Sequence, residues 1–392
     1  MTEALGRSQV LEYLLDLSAE QHFHLISFER AQDLDGVASI EALIEGKNIT
    51  WHRLNYSNKH GSLSTINCIW QAVRKGWRIC KKYPISLIHC RSMIPTMMGW
   101  ILKKRFGPKL LFDIRGFSTQ EKVDRGRLQQ GSLQYRFLMK MEDVLYKASD
   151  HVVTLTHKAK AILGVKYAHL SNHITVIPTC ASKAVFKPIS DPKRIEAIRL
   201  ELGYGPEDIL LIHTGTVSSW YNFDAELALV KALQAKDDRI QFLVLNKKEQ
   251  VFIAEKLEEH GLSGRVQVTS APFDRMYEFL NAADYSLFFI KTLYSKQASA
   301  PTKFAENVAC LLPSITNGGV GDMERWLTQY KVGFLTTIEA VIDHPEEAAS
   351  RFLDFHNSFE VQPNEFTSLF DEHFDKDAAV AHYQTIYDEL SA

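Results

Sequence analysis

Three absences narrow what this 392-residue chain can be. It has no C-x-x-C pair and no even set of cysteines. Cys68, Cys80, Cys90, Cys180 and Cys310 are an odd number without C-x-x-C spacing, which argues against a disulfide framework or a zinc finger and for buried, reduced thiols. It has no apolar run of about 18 residues, so no segment reads as a membrane span. Its opening, MTEALGRSQVLEYLLDLSAE, lacks the basic-then-apolar order of a signal peptide and gives the expectation of a cytoplasmic protein. There is no low-complexity segment and no repeat of fixed period. One sign of charge is also missing locally: residues 46–112 hold 13 Lys and Arg and no acid.

What is present belongs to an ordinary folded protein. Apolar residues make up 45% and charged residues 23%, and the length suits two cores of roughly 150–200 residues. Short β-branched runs alternate with amphipathic stretches almost from end to end. Strands are expected at 22–28, 50–56, 86–90, 109–114, 151–155 and 174–177 in the first half. In the second half they are expected at 209–214, 240–245, 266–269, 285–290, 313–316 and 333–336. Several, such as ILLIHT and YSLFFI, are apolar on both faces, as parallel strands covered by helices are. The alternation predicts an α/β chain of two Rossmann-like, doubly wound domains in tandem.

The boundary is expected in the proline-flanked stretch IPTCASKAVFKPIS. This gives domains over 1–183 and 184–370 and a last segment, 371–392, containing the amphipathic helix KDAAVAHYQTIYDEL. The start is unusual. TEALGRSQVLEYL already reads as a turn and helix, with Gly6 at the bend and no strand before it. A doubly wound sheet without its first strand would expose backbone and apolar surface, so the expectation is a start upstream of Met1.

The net charge of −2 conceals a division. Residues 1–185 hold 26 Lys and Arg against 15 Asp and Glu, a net +11, and the remainder holds 19 against 32, a net −13. A basic first half is either a solvated face or a means of attracting acidic lipid headgroups or an anionic acceptor. Nucleic acid is not indicated, since no zinc spacing, helix-turn-helix signature or aromatic–basic sheet motif occurs.

Chemistry concentrates in SAPTKFAENVACLLPSITNGGVGD, residues 299–322. Pro301 suits a first helical turn, and Ser299 and Thr302 can cap its free N–H groups. A helix start at the C-terminal edge of a parallel sheet favours anions. Lys303 adds a charge suited to phosphate, and Glu306, one turn on, can accept hydrogen bonds from ribose hydroxyls. An exposed i,i+3 ion pair would explain the same spacing. Asp322 is expected to cap the helix MERWLTQY, and His213 and Trp220 are expected in the core.

This stretch resembles the donor-site motif of group 1 (family 4) glycosyltransferases, in the form SPTK-x-x-E. LGRSQVLEYLLDLS, FDIRGF, VIPTC and HTGTVSSWYN resemble further landmarks of that family in the expected order, so the likeness runs from Ala4 to about Thr336. The resemblance implies the GT-B fold, two Rossmann-like domains facing across a cleft with the final helix crossing back to the first domain. It implies a hexosyltransferase that moves a sugar from a nucleotide-diphosphate sugar to a glycan or lipid-linked acceptor, with retention and without metal or other cofactor. A bacterial polysaccharide-type role, peripheral at the inner membrane face, is the expectation.

Carried over by position, Lys303 resembles the cation that neutralises the leaving diphosphate, and Glu306 the ribose-binding carboxylate. Gly6, Gly215, Thr216, Ser299, Pro301 and Thr302 are the further donor-side candidates. Arg115 stands where relatives place a cleft histidine and is expected to act electrostatically in catalysis, with a structural ion pair to Asp113 or Glu121 as the alternative. It joins His89 and Arg91 as acceptor-side candidates. Three departures qualify the match. Ala298 replaces the first glutamate of an E-x7-E pair, Leu311 or Leu312 replaces a glycine, and the first strand is missing. A sugar-nucleotide epimerase and a non-catalytic nucleotide- or glycan-binding relative are the alternative functions.

Overall fold

The computed structural model describes residues 1–2, 6–30, 36–56 and 62–391. Its strands follow the expected alternation: β1 (Phe23–Glu29), β2 (Ile49–Asn55), β3 (Leu87–Arg91), β4 (Lys109–Asp113), β5 (His151–Thr154), β6 (Ile174–Val176), β7 (Ile209–Thr214), β8 (Ile240–Leu245), β9 (Gln267–Thr269), β10 (Tyr285–Leu287), β11 (Ser314–Asn317) and β12 (Gly333–Thr336). Their pairings are parallel. The chain divides into two compact units. One holds Met1–Leu155, Ala159–Ile177 and Lys376–Ala392, and the other Thr156–Lys158 and Pro178–Asp375. These limits differ by several residues from 183/184 and 370/371. The reason is backbone pairing: Ala181 N donates to Phe374 O at 3.0 Å and Ala181 bridges Asp375, which ties both segments to the second unit.

In the first unit β3-β4-β5-β6 form one sheet and β1-β2 another. Among the described residues no strand joins β1 to β3. Ala4 and Leu5, at the start of the expected turn, lie outside the described residues. Gly6 is not a bend: its φ of −64° and ψ of −39° are helical, and a wide turn over Arg7–Leu11 runs into helix Glu12–Leu17. The final helix, Lys376–Ser391, packs on that helix and on β3. Tyr383 meets Tyr13 edge-on at 5.9 Å, and Tyr387 lies 6.0 Å from Phe23.

The second unit has a single six-stranded sheet, ordered β12-β11-β10-β7-β8-β9. All six residues of β7 are buried, as two-sided apolar character requires. Helix Phe223–Lys236 buries Leu227, Leu229, Val230 and Leu233 in the same core as Phe242, Phe289 and Phe352. Each such side chain contributes about 1.5–3 kcal/mol. β10 stops three residues short of the expected 285–290. There Asn317 replaces the ladder, accepting from Ile290 N at 2.8 Å and donating to Ile290 O at 2.9 Å. The C-terminal ends of β7, β10 and β11 thus feed three loops that converge on helix Thr302–Ala309.

Candidate functional site

Helix Thr302–Ala309 begins one residue later than expected. Pro301, with φ −66° and ψ 125°, is the cap position, and no side chain caps it. Neither Ser299 nor Thr302 fills that role, so the first-turn N–H groups have no side-chain acceptor. Lys303 is the second helical residue and is buried. Its Nζ lies 3.0 Å from His213 Nε2 and 3.8 Å from the centroid of the Tyr221 ring. Burial pulls its pKa down to about 7, against the attraction of Glu226, Glu306 and Glu249. Glu306 is partly buried. Burial raises its pKa, and its one stabilising influence is the charge of Lys303. An ammonium and a carboxylate are therefore held together with little hydrogen bonding of their own.

The support beneath them was not legible from the motif. His213, fully buried in β7, donates through Nδ1 to Glu226 Oε2 at 2.7 Å. Its Nε2 lies 3.0 Å from both the Lys303 ammonium, a donor, and the Thr216 carbonyl, an acceptor, so His213 ties the lysine to the loop after β7. Glu226, on helix Phe223–Lys236, also accepts from Phe289 N at 3.3 Å. Glu249 holds the loop after β7. It accepts from Val217 N at 3.0 Å, from Asn246 Nδ2 at 2.8 Å and from the Ser218 hydroxyl. Gly215 has φ +85° with open space where a Cβ would lie, so the position requires backbone freedom rather than room. Gly215 and Thr216 are exposed. Lys291 donates to Ser219 O at 2.9 Å, and the Lys296 ammonium lies 3.5 Å over the Trp220 ring.

The remaining second-unit residues frame this centre. Ala298, at the position of the expected glutamate, is fully buried in the turn Tyr294–Ala298. The Ser299 carbonyl lies 2.2 Å from where a Cβ on Gly321 would fall, and Gly321 has φ +45°. Only glycine lets the turn after β11 pack on this strap. Asp322 does not cap Met323–Tyr330 through its side chain. Its carboxylate accepts instead from the backbone N–H groups of His157 and Lys158, at 2.7 and 3.3 Å. Those two donors outcompete its own helix start.

In the first unit Asp113 is the buried centre of a second cluster. Arg115 Nη1 donates to Asp113 Oδ1 at 3.2 Å, and Arg91 Nη1 lies 3.7 Å from Oδ2 while donating to Gln9 O at 2.9 Å. Tyr383 donates to Asp113 Oδ2 at 3.3 Å. His89 Nδ1 is 2.7 Å from the Tyr387 hydroxyl, and its Nε2 is 3.6 Å from Asp113. The adjacent guanidiniums and His89 hold the Asp113 carboxyl far below the usual carboxylate range despite burial. Burial and Arg115 bring Arg91 down to about 10. The structural alternative for Arg115, an ion pair with Asp113, is thus the contact it makes. Gly6, counted with the donor side, lies in this unit.

No motif in the sequence marks Glu226, Glu249 or Tyr221, and His213, expected in the core, is buried there with polar partners as well. The signals were a polar residue inside ILLIHT and an acid on the apolar side of FDAELALV. Either could have marked a buried ion network.

No protein-family model matches the sequence, and a search of curated proteins finds no match. Solved structures match over almost the whole chain. Sucrose-phosphate synthase from Thermosynechococcus elongatus has a TM-score of 0.71 at 15% identity, covering 97% of this chain and 92% of its own. A glycosyltransferase from Rickettsia africae has a TM-score of 0.70 at 17% identity, covering 99% and 96%. HepE from Anabaena, in complex with UDP, has a TM-score of 0.69 at 15% identity, covering 100% and 97%. The likeness establishes the α/β, GT-B-type fold.

Proposed function

We propose that the protein transfers a sugar from a nucleotide-diphosphate sugar to a glycan or lipid-linked acceptor. The observation that carries this reading is Lys303. It is a buried cation at an uncapped helix start, with the partner-poor carboxylate of Glu306 one turn away. A diphosphate supplies the charge that this ammonium and the free N–H groups lack, and a ribose supplies donors for Glu306. The exposed Gly215–Thr216 backbone, held by Glu249 through the next two residues, suits close approach of phosphate oxygens. HepE has been crystallised with UDP-glucose as well as with UDP, which makes uridine nucleotides the first donors to try.

In the proposed reaction the bond between the anomeric carbon and the diphosphate oxygen breaks, and its electron pair leaves with the diphosphate. Lys303 and the helix start stabilise that charge without calling on a metal. The acceptor oxygen forms the new bond on the same face, and its proton passes to the departing phosphate oxygen, which gives retention. Arg115, Arg91 and His89 are proposed to serve the acceptor. Two guanidiniums around one carboxylate leave a net positive charge for an anionic acceptor.

The test is incubation with UDP-sugars, with and without glycan or lipid-linked acceptors, followed by mass spectrometry. Acceptor-dependent release of UDP that Lys303→Ala abolishes supports transfer. Sugar conversion without acceptor identifies an epimerase instead. Tight UDP binding with no turnover identifies a binding relative, the reading favoured by the buried Ala298.

A further inference from the structure

The acid-free stretch of the sequence includes a helix, Ser62–Lys82, whose outward face has no use inside the protein. Helix Ser62–Lys82 buries Ser64, Cys68, Ala72 and Ile79. Gly76 turns inward too, since a Cβ there would lie 2.4 Å from Leu102 of the neighbouring helix Met93–Phe106. The opposite side carries Ile66, Trp70, Arg74, Trp77 and Lys81, at spacings of four, four, three and four, which is one helical face. Ile66 is 61% exposed and Trp70 57%. The rings lie under cations: Arg74 is 5.1 Å from the Trp70 centroid, and Arg105 and Lys81 are 5.3 and 5.9 Å from that of Trp77. On the adjoining helix Lys104 is 4.1 Å over Trp100.

We propose that this face docks on a bilayer surface bearing acidic lipid headgroups. An exposed aliphatic and two tryptophans on one face suit the headgroup–acyl boundary, where amphipathic rings are most stable. The flanking cations suit the negative surface potential, and residues 46–112 contribute no acid to oppose it. A nucleic-acid partner would explain the charge but leaves the exposed Ile66 without a role. The inference goes beyond sugar transfer and does not depend on it, because the face belongs to the first unit and the Lys303 centre to the second.

Flotation of the full chain with vesicles tests it, comparing phosphatidylcholine alone with phosphatidylcholine containing about one part in three of phosphatidylglycerol. The protein should float with the acidic vesicles and stay behind with the neutral ones. Arg74→Gln with Lys81→Gln should cut the partition by about 25-fold, roughly fivefold per cation. Ile66→Ser with Trp70→Ser should reduce it by at least about tenfold, and this loss should persist at high salt, where the ionic part is screened. All four residues point outward, so unchanged melting and unchanged UDP binding should accompany both losses. Equal partition on both vesicle types overturns the proposal, as does acidic-vesicle binding that neither variant weakens. Failure of UDP binding alongside normal flotation would count against the transferase reading and leave this one standing.

Discussion

Each unit buries a charge cluster, and the two are built in opposite senses. Asp113 is a carboxylate ringed by Arg115, Arg91 and His89, with Tyr383 donating a further hydrogen bond. Its neighbours reinforce its charged form and push its pKa down. Lys303 is a cation whose three nearby acids are mostly engaged elsewhere, Glu226 by His213 and Phe289, and Glu249 by the loop after β7. Burial wins there, and the pKa falls toward neutrality. A carboxylate satisfied by its own protein keeps the side chains around it in place. A cation left short of partners is ready for a ligand.

The largest effects should separate the two on stability. Asp113→Ala removes the buried carboxylate from between the half-buried guanidiniums of Arg91 and Arg115 and should destabilise the fold by about 3 kcal/mol, read by chemical denaturation. Lys303→Met removes a penalised cation and fills its volume, but it leaves Glu306 without its one compensating charge; since burial already favours the protonated form of Glu306, the net change should stay within about 1 kcal/mol. The same change should lower sugar transfer by about a hundredfold to a thousandfold. If Lys303→Met also unfolds the protein, the lysine is structural and the contrast fails.

Titration sharpens the contrast further. The folded pKa of Asp113 lies below its unfolded value, so its stabilisation is present above about pH 3.9 and is lost as pH falls through the lower folded value. Asp113→Asn should therefore flatten the acid limb of the stability curve. Lys303 works through binding. A diphosphate favours the ammonium, so above about pH 7 binding must take up a proton. Affinity should then fall by up to about tenfold per pH unit. Calorimetry in buffers of different ionisation heat reads that uptake, and buffer-independent heats would argue against it.

Smaller effects remain. Glu306→Gln keeps the shape but loses the charged acceptor, and should weaken UDP binding by about 5–10-fold with little change in melting. Leu311 is held at φ +58°, a left-handed position. Leu311→Gly should relieve strain of about 1 kcal/mol, set against part of that in chain entropy.

The sequence made the strand order of β and α elements readable because two-sided apolar runs such as ILLIHT are dictated by burial. Helix Thr302–Ala309 with Lys303 and Glu306 was readable for a similar reason, since spacing alone puts them on one turn. The partners of Lys303 were not. His213 lies 90 residues before Lys303, and Glu226 follows His213 by 13; they are brought in by β7 and its following helix, and no local pattern encodes that meeting. Capping failed in the same way. Asp322 looked like the cap of its own helix, yet donors at His157 and Lys158 claim it.

In the proposed reading Lys303 is short of a partner that a nucleotide diphosphate supplies. Isothermal titration of UDP into the wild-type protein and into Lys303→Met, at pH 7 and matched melting temperature, tests this directly. Binding should be saturable in the wild type and weaker by about a hundredfold or more in the variant. Equal affinity in the two proteins would contradict it.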